Sequence, residues 1–299
     1  MQTEPRPDTD CPASMRPGSL PAKTVLLTGA TGFVGRQIHR ALSENGHSVR
    51  VVLRTGTGGR LAAEADIIET EDLFAEEPAF WSKASAGVDA IIHAAWFATP
   101  GIYLHAPENL DCVRGSLALA RGAASAGVGH VIGIGTCFEY ALPSAHLSSD
   151  SPLGPTTLYA TAKLALLQIL QPFFAGTGTT FSWARLFYLY GEGEHPSRLA
   201  AYVRQQIDRG QVARLSSGTQ LRDFLDVRAA GAMVAQVVDT GQPGAINICS
   251  GRAVTVRQLA ERVADAMGRR DLLEFGAAEP RPGDPTVVVG VCNLVSAGN

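Results

Sequence analysis

The sequence contains few cysteines, and they are not arranged to hold a metal or a set of disulfides. Five cysteines occur in 299 residues, and no two of them are spaced as C-x-x-C. An odd number of scattered thiols argues against a disulfide scaffold and against a cysteine-based zinc site. We therefore expect a protein of a reducing, cytoplasmic compartment with no metal site.

Long apolar runs and an excess of charge of one sign are also missing. No apolar stretch approaches the ~20 residues that cross a bilayer, and the N-terminus lacks the basic-then-apolar order of a signal peptide. The net charge is −3, from 25 basic and 28 acidic residues. Such a chain has no global basic field for a nucleic acid or a membrane surface. We expect neither partner, and predict a small molecule held by local groups.

Apolar, β-rich runs alternate with segments of helical periodicity along most of the chain. The runs cover residues 24–28, 48–53, 65–68, 90–93, 131–134, 181–187 and 245–248, and the helical segments cover 33–45, 108–126, 156–176, 196–209, 227–239 and 255–267. This alternation predicts an α/β fold built on a doubly wound parallel sheet.

The predicted elements divide the chain into a leader, a core and a smaller lobe. Residues 1–22 are rich in proline and predict a disordered leader. Residues 23–187 form the predicted dinucleotide-binding core. Residues 188–299, where the spacing loosens, form mainly a smaller, interleaved substrate-binding lobe, with 227–250 returning to the core.

A glycine-rich turn follows the first predicted strand. Gly29, Gly32 and Gly35 form a G-x-x-G-x-x-G motif that opens the first predicted helix. Glycines at these positions permit a tight turn, close approach of a pyrophosphate and close packing of helix on strand. The helix N-terminus adds free N–H groups and a partial positive charge. The residues assigned to the cofactor in this turn are Gly29, Thr31, Gly32, Phe33, Val34 and Gly35.

The residue after the second predicted strand indicates which dinucleotide is bound. An acidic residue there would bind the ribose 2′-hydroxyl of NAD, whereas an arginine suits the 2′-phosphate of NADP. Arg54 stands at this place, 19 residues after Gly35, and Arg36 is near enough in sequence to assist. We predict NADP(H), unless Arg54 is only a solvated loop charge, and we assign Asp72 and Leu73 to the adenine edge.

A phenol and an ammonium stand four residues apart, at Tyr159 and Lys163. On a helix they share one face, and a nearby cation lowers the pKa of a tyrosine. Tyr159 is therefore a candidate proton donor or acceptor, and Lys163 is a candidate ligand of the cofactor ribose. Thr136 ends a predicted strand, so it belongs to the edge of the sheet where ligands bind.

The preceding strand ends in His93, Ala94 and Ala95, at the same predicted edge. Small residues there leave room for a nicotinamide ribose, and we assign all three residues to the cofactor site. For His93 the alternative is a structural histidine whose ring is hydrogen-bonded within the protein.

These features resemble, in their order and spacing, the extended short-chain dehydrogenase/reductase family. The sequence is most similar to its nucleotide-sugar-modifying NAD(P)-dependent epimerase/dehydratase branch, and within it to the nucleoside-diphosphate 4-keto-6-deoxysugar 4-ketoreductases. The resemblance runs from about residue 23 to about residue 285. It implies a Rossmann fold and hydride transfer between a nicotinamide and a carbon–oxygen centre. It implies that Tyr159 is the acid/base, that Lys163 lowers its pKa and that Thr136 holds the substrate oxygen, and it adds Leu186 and Phe187 to the cofactor site.

The resemblance also implies a nucleoside-diphosphate sugar as substrate, dTDP-linked, and a homodimer. Arg222 and Arg281 lie in family-like motifs, and arginine suits bidentate contacts with the two phosphates. Cys112 and Tyr188 stand where the family usually has asparagine, which leaves the sugar open. The residues assigned to the substrate are Thr136, Cys137, Phe138, Tyr188, Arg198, Arg222 and Arg281.

Two departures from the family pattern guide the choice of reaction. Its 4,6-dehydratases carry an Asp-Glu pair directly after the threonine, but this sequence has Cys137 and Phe138, which cannot do that acid/base work. Glu139 comes one residue too late and, in an extended segment, would face the other way. We expect no dehydration. Arg54 favours NADPH as a reductant that is consumed in the reaction. We therefore expect reduction of a C4 ketone in deoxysugar biosynthesis. A nucleotide-sugar epimerase and an NADPH reductase of a non-sugar carbonyl remain alternatives.

Overall fold

A seven-stranded parallel sheet forms the centre of the computed structural model, which describes residues 21–57, 66–279 and 283–296. Its strands, in spatial order, are β3 (Asp66–Thr70), β2 (Ser48–Arg54), β1 (Thr24–Thr28), β4 (Ala90–His93), β5 (His130–Thr136), β7 (Thr180–Leu186) and β11 (Gly244–Ile248). All neighbouring strands pair in parallel. The order reverses between β1 and β4, which makes this a doubly wound sheet and confirms the predicted fold class.

Helices cover both faces of the sheet. They are α1 (Gly35–Glu44), α2 (Pro78–Ala84), α3 (Glu108–Ser125), α4 (Leu158–Ala175), α5 (Leu199–Asp208), α6 (Val227–Thr240) and α7 (Val256–Ala266). Consecutive strand residues point to opposite faces, so Leu27 packs in the cluster with α1 and α6. Leu26 packs in the cluster with α2, α3 and α4. The sequence missed α2, because seven residues are too few to show helical periodicity.

A second, smaller group of strands lies beside the carboxyl edge of the main sheet's second half. One sheet contains β12 (Ala253–Thr255), β10 (Leu221–Asp226), β14 (Val287–Gly290) and β6 (Ser144–Leu147), and β8 (Tyr188–Tyr190) pairs with β10. A two-stranded sheet contains β9 (Ala213–Leu215) and β13 (Leu273–Phe275). α5 and α7 share a hydrophobic core with this pair. Residues 1–20 of the predicted leader lie outside the described residues.

Among the described helices, α4 alone is long and apolar enough to cross a membrane by length and composition. Its apolar side chains pack in the core cluster beneath β5 and β7 instead. The buried residues of α4 are Ala160, Ala162, Lys163, Leu164, Leu166, Leu167, Leu170 and Phe174. A core helix of an α/β fold accounts for this composition.

Candidate functional site

The carboxyl ends of four strands bring the predicted site residues together. Thr28 at the end of β1 pairs in register with His93 at the end of β4. Thr136 at the end of β5 pairs with Leu186 at the end of β7. In an open α/β sheet this edge is where ligands bind, so the candidate site lies here.

The glycine turn forms a cradle that side chains would fill. Gly29 has φ +74°, and a Cβ on it would lie 2.7 Å from the backbone nitrogen of Ala95. A Cβ on Gly35 would lie 2.0 Å from the carbonyl oxygen of Gly29, so the helix packs directly on the turn. At Gly32 the contact would be 3.2 Å, with Gly29 alone. α1 begins without a side-chain cap, and an uncapped helix N-terminus can accept the pyrophosphate of a dinucleotide.

Arg54 lies at the end of β2, with its side chain exposed, beside Thr70 of β3. The cavity next to it is acidic. Its charged lining residues are Glu69, Glu71, Asp72 and Glu76. Asp72 already accepts a hydrogen bond from the backbone of Phe74, at 2.9 Å, and Leu73 packs towards the core. Asp72 and Leu73, which the sequence assigned to the adenine edge, therefore also make contacts within the protein.

Tyr159 and Lys163 lie in the first turns of α4, whose N-terminus is capped by Thr157. Burial raises the pKa of the Tyr159 phenol, and Tyr103 and Glu139 raise it further, while a hydrogen bond with Thr136 acts to lower it. Lys163 is not among these causes. The pKa of Tyr159 is raised on balance because desolvation outweighs the interactions that lower it, and a lowering by Lys163 stays a prediction.

The Lys163 ammonium is fully enclosed. It donates to the carbonyl oxygen of Ile134 at 2.7 Å and lies 3.6 Å from the centre of the Trp96 ring. Burial lowers the pKa of Lys163 to about 7. The segment after β4 thus supplies an aromatic wall to the candidate pair Tyr159 and Lys163, and sequence reasoning missed it because single aromatic residues in a loop carry no periodic signal.

His93 is held by hydrogen bonds through both ring nitrogens. Nδ1 lies 2.8 Å from the hydroxyl of Thr28, and Nε2 lies 2.8 Å from the hydroxyl of Ser116. The Ser116 hydroxyl donates to the carbonyl of Cys112, so it accepts from Nε2–H and Nδ1 is the acceptor. Burial lowers the pKa of His93 to about 3. Its ring is therefore hydrogen-bonded within the protein, as in the structural alternative, and the assignment of His93 to the cofactor site stays a prediction.

Residues Cys137–Glu139 form a 3₁₀ turn, and not the extended segment that the sequence suggested. Glu139 is fully buried beneath Thr136 and accepts from the Thr136 backbone N–H at 2.8 Å. It also pairs with Nε of Arg185 at 2.8 Å and accepts from Nε1 of Trp183. The expectation that Glu139 lies in an extended segment and faces away was therefore wrong. Its carboxylate is nevertheless occupied by the Thr136 N–H, Arg185 and Trp183.

On the lobe side, Arg222 of β10 is buried and already paired. Its Nη2 lies 2.7 Å from Asp284, and its Nη1 donates to the carbonyl of Leu221 at 2.8 Å. The guanidinium lies 5.1 Å from the centre of the Tyr188 ring. Arg198 lies at the N-cap position of α5 and makes no side-chain capping hydrogen bond, and Arg281 lies outside the described residues. Because Arg222 is already paired with Asp284, it would bind a phosphate only through its remaining N–H groups.

A doubly wound sheet with a glycine cradle at its switch point defines a dinucleotide-binding protein. A family model for the NAD dependent epimerase/dehydratase family matches residues 25–249, and the chain belongs to this family.

Curated relatives and solved structures are consistent with this membership. The chain is 24% identical over 239 residues, 79% of its length and 88% of the relative's, to dTDP-6-deoxy-L-talose 4-dehydrogenase (NAD(+)) of Aggregatibacter actinomycetemcomitans. It is 24% identical over 288 residues, 89% and 86% of the two chains, to UDP-glucose 4-epimerase of Corynebacterium glutamicum. Its fold matches UDP-N-acetylglucosamine 4-epimerase of Methanobrevibacter ruminantium M1 with a TM-score of 0.81, 21% identity and coverage of 91% and 90%.

Proposed function

We propose that the protein reduces the C4 ketone of a nucleoside-diphosphate 4-keto-6-deoxysugar with NADPH. The observation that carries this proposal is the pairing of Tyr159 and Thr136 without a carboxylate at the two positions after Thr136. These groups suffice for exchange between an alcohol and a ketone, whereas elimination of water needs an added acid and base. The relative from Aggregatibacter is named for dehydrogenation at C4 of a dTDP-linked 6-deoxysugar, which supports the same substrate class.

In this mechanism the chain's own residues orient the substrate and supply a proton. When bound, the reduced nicotinamide supplies the hydride. Thr136 hydrogen-bonds the carbonyl oxygen, and Tyr159 donates its phenolic proton to that oxygen as negative charge develops on it. A phenol whose pKa is raised by burial is protonated at neutral pH, which suits it as an acid in the direction of reduction. Lys163 would hold the nicotinamide ribose, and the glycine cradle would hold the pyrophosphate.

The preference for NADPH rests on Arg54, which is exposed at the position where the 2′-phosphate would bind. A guanidinium there favours a phosphate through charge-assisted hydrogen bonds. The name of the Aggregatibacter relative specifies NAD+, so this part of the proposal belongs to the residue in this chain and not to the relative.

A second candidate is a nucleotide-sugar 4-epimerase that retains NAD. The acidic lining beside Arg54, from Glu69, Glu71 and Glu76, favours it. Negative charges near the ribose disfavour a further phosphate, and the relative from Corynebacterium is named as a 4-epimerase.

Cofactor consumption by purified protein separates the two candidates. With a dTDP-linked 4-keto-6-deoxyhexose, the reductase consumes one NADPH for each hexose and prefers NADPH to NADH. Arg54→Ala should weaken the use of NADPH by about 10- to 100-fold, the loss expected for a charged hydrogen bond, and leave NADH unaffected. Arg121→Ala, an exposed arginine on α3, is the matched control. Nicotinamide that copurifies with the protein and is not consumed would support the epimerase.

A further inference from the structure

Two tyrosines besides Tyr159 lie at the candidate site. The Tyr103 ring packs edge-on against the Tyr159 ring, with centroids 4.9 Å apart and an interplanar angle of 83°. The Tyr103 phenol is also close enough to raise the pKa of both Tyr159 and Tyr188. Tyr103 therefore lies near both the Tyr159 phenol and the Tyr188 phenol.

The Tyr188 hydroxyl is one of six side-chain polar atoms in the described part of the chain that are covered by protein and have no hydrogen-bond partner. Its ring is fixed by edge-on contacts with Phe138 at 5.9 Å and Phe224 at 6.0 Å. Burial raises the pKa of Tyr188, so the hydroxyl keeps its proton and is a donor. Buried hydroxyls are almost always paired in folded proteins, so this one indicates an acceptor brought by a ligand.

The chain that covers these phenols is residues 96–105, which we call the aromatic strap. Its two ends are held by the buried side chain of Asn109, whose Oδ1 accepts from Nε1 of Trp96 and whose Nδ2 donates to the carbonyl of Tyr103, both at 2.8 Å. Gly101, with φ +91°, turns the strap between them. The Tyr103 ring of the strap packs against the Tyr159 ring, which is only partly exposed, so a substrate that reaches the catalytic phenol lies beside Tyr103.

Resting on the proposed function, we propose that Tyr103 and Tyr188 form, together with Tyr159, a tyrosine cage that binds the hexose of the nucleotide sugar. The hexose lies against the Tyr103 ring, Tyr188 donates its hydrogen bond to a hexose oxygen, and the strap covers the exposed side of the sugar. The Arg222 guanidinium lies 5.1 Å from the centre of the Tyr188 ring, so a diphosphate bound by Arg222 would adjoin Tyr188. Aromatic walls with a few placed polar groups are typical of small-molecule sites.

Binding measurements on Tyr188→Phe and Tyr103→Phe test the cage without requiring turnover. Titration calorimetry is done with dTDP-glucose and UDP-glucose, and with dTDP and UDP, which lack the hexose. Tyr188→Phe should weaken binding of the sugar nucleotide that the wild type binds by about 10-fold or more, the loss of one buried hydrogen bond. It should leave binding of the matching nucleoside diphosphate within about 2-fold. Tyr103→Phe keeps the ring contact with Tyr159 and should show a smaller loss of the same selectivity.

Tyr202→Phe, which removes a phenol hydroxyl from α5 near the backbone of Arg214, is the control and should change neither affinity. Equal affinities of wild type and Tyr188→Phe for the sugar nucleotide would overturn the cage, as would equal losses for sugar nucleotide and nucleoside diphosphate. Failure of the wild type to bind either sugar nucleotide would overturn it too. A wild type that binds selectively but consumes no NADPH would contradict the proposed reduction and leave the cage intact.

Discussion

At the scale of single residues, the acid of the proposed reaction is defined by its burial. The Tyr159 ring packs edge-on against Tyr103 and Trp96, and its burial raises the pKa of the phenol, so the neutral form is favoured at neutral pH. The hydrogen bond with Thr136 is the local interaction that favours the phenolate. The pair can therefore transfer a proton once a substrate oxygen lies between them.

Tyr159→Phe should reduce kcat for ketone reduction by about 10²- to 10⁴-fold, the usual contribution of a positioned general acid. The substitution keeps the ring contacts with Trp96 and Tyr103, so the thermal midpoint should be nearly unchanged. Steady-state NADPH oxidation and a melting curve measure the two effects. A variant with wild-type turnover would show that Tyr159 is not the acid.

Lys163 should give the stability of the protein a distinct pH dependence. Its pKa is about 7 in the folded protein and 10.5 in the reference state. Between these values the unfolded chain binds more protons than the folded one, so the free energy of unfolding rises with pH across this window. Lys163→Met should remove that rise in urea denaturation, while Lys83→Met, at an exposed lysine of α2, should keep it. A rise of equal size in both variants would contradict the assignment.

The sequence identified Thr136, Tyr159 and Lys163 as candidates because their types and spacing are local properties. It could not give their protonation, because the groups that enclose them come from elsewhere in the chain. Trp96 and Tyr103 arrive from the loop after β4, and neither is marked by periodicity. The pairing of Arg222 with Asp284, 62 residues apart, is equally invisible in the sequence.

At the scale of elements, the glycine turn and α1 were predictable in detail and the 3₁₀ turn after β5 was not. Gly46, directly after the predicted helical segment 33–45, has φ +83°, a left-handed conformation that glycine adopts at helix ends. The turn at Cys137–Glu139 depends on a capping box between Thr136 and Glu139 and on the buried Arg185. A threonine followed three residues later by a glutamate is a capping signal, and this signal was present in the sequence.

Gly35→Ala should both destabilise the fold and weaken cofactor binding, because the added Cβ would lie 2.0 Å from the carbonyl oxygen of Gly29. Overpacking of this kind costs about 1–3 kcal/mol, and a shift of α1 would move its N–H groups away from the pyrophosphate. Gly178→Ala has nothing within 4 Å and no positive φ, so it is the control. Urea unfolding and NADPH titration measure the two effects, and unchanged cofactor affinity in Gly35→Ala would argue against the cradle.

At the scale of the whole molecule, the carboxyl edge of the large sheet carries the candidate site and adjoins the smaller sheets. The large sheet was predictable because its strands are long apolar runs separated by long helices. The smaller sheets were not, since strands such as β8, β9, β12 and β13 have three residues each. The two parts meet where the Arg36 guanidinium covers Gly193, at which a Cβ would lie 2.4 Å from Nη1. The site is thus assembled by contacts between distant segments.

Transfer of deuterium from NADPH to the sugar tests the proposed reduction most directly. The protein is incubated with dTDP-4-keto-6-deoxyglucose and NADPH that carries deuterium on the transferring face, and the hexose is examined by NMR. The account predicts one deuterium at C4 of the product and one NADPH consumed for each hexose. A hexose of changed configuration that contains no deuterium, with no net loss of NADPH, would contradict it.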